Sequence, residues 1–243
     1  MIRGIVFDKD GTLFDFNATW RGVMEDALLV LSPGDPARAA AMALAAGYDP
    51  QTRRFAAGSA IVAGSSADVA LIWAPFLPDT PIDALEREIN AFAIDTGLDN
   101  LTPAVADLPA LLDELRAMGC ALGVATHDSE AGARRHLSEV GALDRFAFIA
   151  GYDSGHGLKP GPGMVLAFCA ATGLDPSEVA MIGDSVHDLG AGRAAGAGLV
   201  VGVLTGPAAV PELTPLADVV APSIGALPAL LRLRAEAASQ PSA

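Results

Sequence analysis

The chain has 243 residues, of which 51% are hydrophobic and 18% charged: enough length and apolar content for one or two folded domains, and too little charge for wholesale disorder. A formal net charge of -14 argues against nucleic acid or an anionic membrane as partner, because both need clustered Lys and Arg. The two cysteines, Cys120 and Cys169, are widely spaced in apolar contexts, which points to free buried thiols rather than a disulfide or a zinc site.

Residues 4–7, Gly-Ile-Val-Phe, form a short apolar run suited to a buried strand, and it leads directly into Asp8-Lys9-Asp10-Gly11-Thr12-Leu13. An acidic residue so early leaves no room for the apolar region of an export signal, and a cytoplasmic protein is expected. Residues 15–100 then break the strand rhythm with Ala-rich helical segments punctuated by Pro and Gly, and they are expected to form an inserted helical cap. Beyond residue 100 the alternation is regular. A helix over 108–118 ends at Gly119, a strand spans 121–125, and a helix over 129–140 follows Asp128 as N-cap and ends at Gly141. Further strands are expected at 148–150, 179–182 and 199–203. The uncharged stretch 194–211 is broken by glycines and prolines and reads as strand and loops rather than a membrane helix. The predicted architecture is thus α/β: a Rossmann-like parallel sheet with helices on both faces from residues 1–14 and 101–234, a helical cap from 15–100, and a flexible tail over 235–243.

Four short segments carry chemistry. Asp8 and Asp10 follow a strand, where open α/β sheets build their sites, and can serve phosphoryl transfer as an ionised nucleophile and a proton carrier. The plainer reading is a strand-end turn that happens to hold Asp-x-Asp-Gly. Thr126 follows the strand at 121–125 close to a helix start, where hydroxyl and backbone N–H groups bind phosphate oxygens, although Thr-x-Asp-Ser is also an ordinary capping sequence in which His127 and Asp128 are loop residues. Lys159, in Gly157-Leu-Lys-Pro-Gly-Pro162, can pin a phosphate and keep a carboxylate ionised, with Pro160 opening a helix. Asp184 and Asp188, in Gly183-Asp-Ser-Val-His-Asp188, suit magnesium, Asp184 as a direct ligand and Asp188 as ligand or supporting group, unless Asp188 simply caps the helix.

Together, in this order, the four segments resemble the haloacid dehalogenase-like phosphohydrolase superfamily, and the inserted cap resembles that of its phosphoglycolate-phosphatase-like branch. The resemblance spans nearly the whole chain. It implies Asp8 as nucleophile, Asp10 as acid and base, Thr126 and Lys159 as phosphate binders, and Asp8, Asp184, Asp188 and the backbone carbonyl of Asp10 around Mg2+. Asp10 itself disfavours dehalogenation, which needs no such acid, and separates the chain from P-type ATPases, which share Asp-Lys but have Thr at that place. A cap without lysine disfavours phosphonate cleavage through a Schiff base, and one without histidine or lysine and with five arginines disfavours a β-phosphoglucomutase-like mutase. Expected is Mg2+-dependent hydrolysis of a small phosphorylated metabolite, favouring a phosphoglycolate-like substrate. The alternatives are the mutase and a non-catalytic member that binds a phosphorylated ligand. Arg53 and Arg54 are the candidate anchors for a substrate carboxylate, with a solvated pair as the plainer reading, and Trp20 and Arg21 either face the cleft or pack at the hinge. Lys9, one residue out of phase with Asp8 and Asp10, is expected to point away from both, as electrostatic support or as a solvated loop residue. The sequence carries no sign of oligomeric state.

Overall fold

The computed structural model describes residues 1–95 and 97–239. Strand β1 (Gly4–Phe7) is followed by helices α1 (Phe16–Leu31) and α2 (Pro36–Ala46), a short antiparallel pair β2 (Tyr48–Asp49) and β3 (Arg54–Phe55), and helices α3 (Ala60–Ala63), α4 (Ser66–Trp73), α5 (Ile82–Asp95) and α6 (Gly97–Asn100). Then come α7 (Leu108–Ala117), β4 (Ala121–Ala125), α8 (Glu130–Glu139), β5 (Phe148–Ala150), α9 (Gly163–Thr172) and β6 (Val179–Gly183). Helix α10 (Val186–Ala195), β7 (Leu199–Val203), α11 (Val210–Leu213), β8 (Val219–Ala221) and α12 (Leu227–Ser239) complete the chain.

Six strands form one parallel sheet in the order β5-β4-β1-β6-β7-β8, so β1 lies at its centre with chain crossing to either side. The alternation of side chains along each strand assigns them to two layers. Ile5, Phe7, Leu122, Val124 and Ile182 pack against α7, α8 and α12 on one face, whereas Val6, Val179 and Met181 pack against α9 and α10 on the other. Both faces are covered, which is why the strands are almost continuously apolar. Gly123, inside β4, is required by this packing: a Cβ there would stand 2.4 Å from the Phe168 ring.

The inserted segment has a core of its own. Phe16, Met24, Leu28, Met42, Tyr48, Phe55, Val69, Trp73, Leu85 and Ile89 form a separate buried cluster drawn from the helices and the β2–β3 pair between β1 and α7. The chain enters and leaves this unit side by side, with Phe14 bridged to Pro103 and the Asp15 N–H donating to the Thr102 carbonyl at 2.8 Å.

Strand β8 was not apparent in the sequence, because Val219 and Val220 sit on an edge strand and are only half buried. Helix α8 is capped by the Ser129 hydroxyl, which accepts the Gly132 N–H, rather than by Asp128. Helix α12 runs to Ser239, into the stretch expected to be flexible; residues 240–243 lie outside the described residues. Among the described residues no helix is long and apolar enough to cross a membrane, and both cysteines are free and buried.

Candidate active site

The carboxyl ends of β1, β4 and β6 converge, and each delivers a buried polar residue: Asp8, Thr126 and Asp184. The first turn of α10 adds Asp188, and the loop between β5 and α9 adds Lys159. The Lys159 ammonium donates to Asp8 Oδ1 at 2.7 Å, to Asp188 Oδ1 at 2.6 Å and to the Ala125 carbonyl at 2.9 Å. Its backbone N–H donates to His127 Nε2 at 2.9 Å. Pro160 does not open a helix: the loop first closes a turn from the Gly161 N–H to the Leu158 carbonyl, and α9 begins at Gly163. Asp188 combines both readings offered by the sequence. Its Oδ2 accepts from Ser185 N–H and Oγ at the start of α10, while Oδ1 faces Lys159.

Asp8, Asp184 and Asp188 each place a carboxylate oxygen within 4.8 Å of the others. Glycines make this convergence possible. Gly11 has φ 97° and packs on the Asp184 carboxylate, and a Cβ on Gly183 would stand 2.1 Å from Asp188 Cβ. Burial, reinforced by Asp188 and Asp10 and opposed by Lys159, raises Asp8 to about 7. Burial and its two acidic neighbours likewise lift Asp184 well above the usual carboxylate range. Asp188 is instead held low, because Lys159 outweighs its desolvation. Lys159, though buried, is pushed up by Asp188 and Asp8. Three carboxylates thus share one ammonium, and an all-oxygen, acidic and charge-deficient set fits a hard divalent cation.

Lys9 does not point to solvent. The strand has ended at Phe7, so its two-residue alternation no longer applies, and the side chain is completely buried. Its ammonium lies 2.8 Å from Asp10 Oδ2, 3.0 Å from Asp128 Oδ2 and 2.9 Å from His136 Nδ1. Burial works to lower its pKa, but Asp10 and Asp128 prevail and raise it. An ammonium can only donate, so His136 Nδ1 accepts and its Nε2–H is left to donate to the Ala93 carbonyl at 2.9 Å, tying α8 to α5 of the inserted unit. Burial and the Lys9 charge lower the His136 pKa and keep the ring neutral. Trp20 on α1 donates its indole N–H to Asp10 Oδ1 at 2.8 Å.

These groups floor a cleft of about 890 Å³, open solvent at its mouth included, between the sheet and the inserted unit. Asp8, Asp10, Thr126, Lys159, Asp184 and Asp188 line it together. Arg53 and Arg54 do not, and the anchoring role expected of them finds no support here. Arg53 Nη2 pairs with Glu25 Oε2 at 2.6 Å on the outer surface, and Arg54 is exposed on β3. Trp20 faces the cleft, whereas Arg21 is exposed.

A model of haloacid dehalogenase-like hydrolases matches residues 2–196. The chain belongs to the haloacid dehalogenase-like hydrolase family. The phosphoglycolate phosphatase of Yersinia pseudotuberculosis is 32% identical over 202 residues, covering 80% of this chain and 78% of its own. The N-acetylmuramic acid 6-phosphate phosphatase of Pseudomonas aeruginosa is 26% identical over 80% of this chain and 79% of its own. Among solved structures, one from Haemophilus somnus described as a predicted phosphoglycolate phosphatase superposes with a TM-score of 0.72 at 20% identity, covering 95% and 98% of the two chains. This haloacid dehalogenase-like hydrolase is therefore an enzyme, a phosphatase. Its His136 and Asp128 were not indicated by the sequence as partners of Lys9. No spacing rule connects positions 9, 128 and 136, and only a fully buried lysine reveals that such partners must exist.

Proposed function

We propose that the protein hydrolyses small-molecule phosphate monoesters with Mg2+, through a phosphoryl group carried on Asp8. The observation that carries the reading is the buried lysine shared by Asp8 and Asp188, with Asp184 beside them, at the ends of parallel strands. An Asp8 carboxylate oxygen attacks phosphorus and the bond from phosphorus to the leaving oxygen breaks, while Asp10 gives that oxygen a proton. Water then attacks the same phosphorus, Asp10 takes its proton, and the bond to Asp8 breaks to release inorganic phosphate. Lys159 aims Asp8 and favours its ionised form against burial. Thr126 accepts the Asp128 N–H at 3.0 Å through its oxygen, which leaves its O–H to donate to a phosphate oxygen. Asp8, Asp184 and Asp188, with the backbone carbonyl of Asp10, would hold Mg2+, which when bound neutralises phosphate oxygens and the crowded carboxylates. The free thiols Cys120 and Cys169 agree with a reducing, cytoplasmic setting.

A carboxylated substrate such as 2-phosphoglycolate is supported by the names of the relatives and not by the lining of the cleft, from which Arg53 and Arg54 are missing. The proposal is tested by phosphate release from a panel of monoesters with and without magnesium. Asp8→Asn is expected to abolish release, and turnover surviving in that variant would overturn the mechanism. Asp10→Asn is expected to slow ordinary alkyl esters roughly 10²–10⁴-fold and p-nitrophenyl phosphate much less, since that leaving group needs little protonation. Equal losses on both would argue against Asp10 as the acid.

A further inference from the structure

The two walls of the cleft differ in kind. All of its charged lining residues, Asp8, Asp10, Asp128, Asp184, Asp188 and Lys159, lie on the sheet side. Among the described residues, the inserted unit contributes apolar side chains such as Phe16, Met24, Ile61, Val69, Trp73 and Phe92, and no charged one. Its polar groups there are mostly engaged. The Trp20 indole N–H is on Asp10, that of Trp73 is on the Met42 carbonyl, and Ser65 N–H and Oγ both donate to Asp68 Oδ2 at 2.8 Å. The start of α4, which faces the cleft, is therefore already occupied by the protein's own carboxylate. The Ser66 hydroxyl remains on this wall, and a hydroxyl is not the fixed cation that a substrate carboxylate needs away from water; His187 belongs to α10, on the sheet side.

We infer that the alcohol half of the substrate is apolar: the enzyme acts on alkyl or aryl phosphate monoesters that carry no second anionic group. The inference rests on the phosphomonoesterase reading of the floor. The phosphate sits on the charged floor, and the carbon skeleton lies against Trp73, Phe92, Met24 and Ile61. A two-carbon acid would set its carboxylate against hydrocarbon.

The test compares kcat/KM of the intact enzyme with magnesium for ethyl, butyl, hexyl and benzyl phosphate, 2-phosphoglycolate and acetyl phosphate. Expected is a rise of about fourfold per buried methylene along the alkyl series, with hexyl and benzyl phosphate at least tenfold above 2-phosphoglycolate. A flat alkyl series, or a preference for 2-phosphoglycolate, overturns the inference. Acetyl phosphate, small and activated, separates the two readings. If it is hydrolysed by the intact enzyme and not by Asp8→Asn, the chemistry of the floor stands whatever the substrate preference. If neither acetyl phosphate nor any ester is hydrolysed, the floor reading and the inference fall together; if acetyl phosphate alone is hydrolysed, the floor reading stands and the inference falls. Ile61→Asn should flatten the alkyl series, and Ile61→Lys should raise the ratio of 2-phosphoglycolate to hexyl phosphate turnover. Unchanged ratios in both variants would show that this wall does not meet the substrate.

Discussion

Lys9 shows how an ordinary-looking residue becomes structural. A lysine with no exposed surface must have its charge answered, and Asp10, Asp128 and the His136 ring nitrogen do so within 3.0 Å. Trp20 completes the surroundings of Asp10, so the proposed acid is held from one side by an ammonium and from the other by an indole of the inserted unit. Lys9→Met would leave two carboxylates without their cation and is expected to lower unfolding free energy by about 3–5 kcal/mol, measured by urea denaturation at neutral pH. A loss below about 1 kcal/mol would mean that solvent answers the charge instead. At this scale Asp8, Thr126 and Asp184 are legible in sequence because each follows an apolar run, but the distant partners of Lys9 are not. Asp128 and His136 lie more than a hundred residues beyond Lys9 in the chain and meet it only in the fold.

Among the elements, the strand ends and the glycines beside them set the site. β1, β4 and β6 are adjacent and parallel, which puts Asp8, Thr126 and Asp184 on one edge without any special local conformation. Gly183, the last residue of β6, gives Asp188 the space to fold back toward Lys159. Gly183→Ala would force Asp188 aside and is expected to destabilise the protein by about 1–3 kcal/mol and to reduce phosphate release. A fully active, equally stable variant would show that α10 can shift without loss. The same element shows why capping stood as the plainer alternative for Asp188: it closes a capping box with Ser185 through one oxygen and meets Lys159 through the other. The helical insertion was legible from its composition and its broken rhythm, but the β2–β3 pair within it was not, being only two residues per strand.

For the whole molecule, the crowded carboxylates link stability to pH. The folded protein raises Asp8 from 3.8 to about 7, and Asp184 also upward, so both favour folding while protonated. In the metal-free protein that contribution is fully present below about pH 4 and is lost as pH rises through about 7. On the proposed reading magnesium held by the ionised groups would offset this, and the gain in Tm on adding it should be larger at pH 8 than at pH 5. Equal gains, or a larger one at pH 5, would argue against these carboxylates as the ligands. By itself the sequence determined the parallel α/β core, the helical insertion and the identity of the floor residues, because apolar periodicity and strand-end motifs are local signals. Only the tertiary structure decided that Lys9 is buried against Asp10, that Arg53 pairs with Glu25 away from the cleft, and that the wall facing the acidic floor carries no charged side chain among the described residues. Which face a helix turns toward a cleft depends on how separate packed units meet, and no spacing along one chain encodes that by itself.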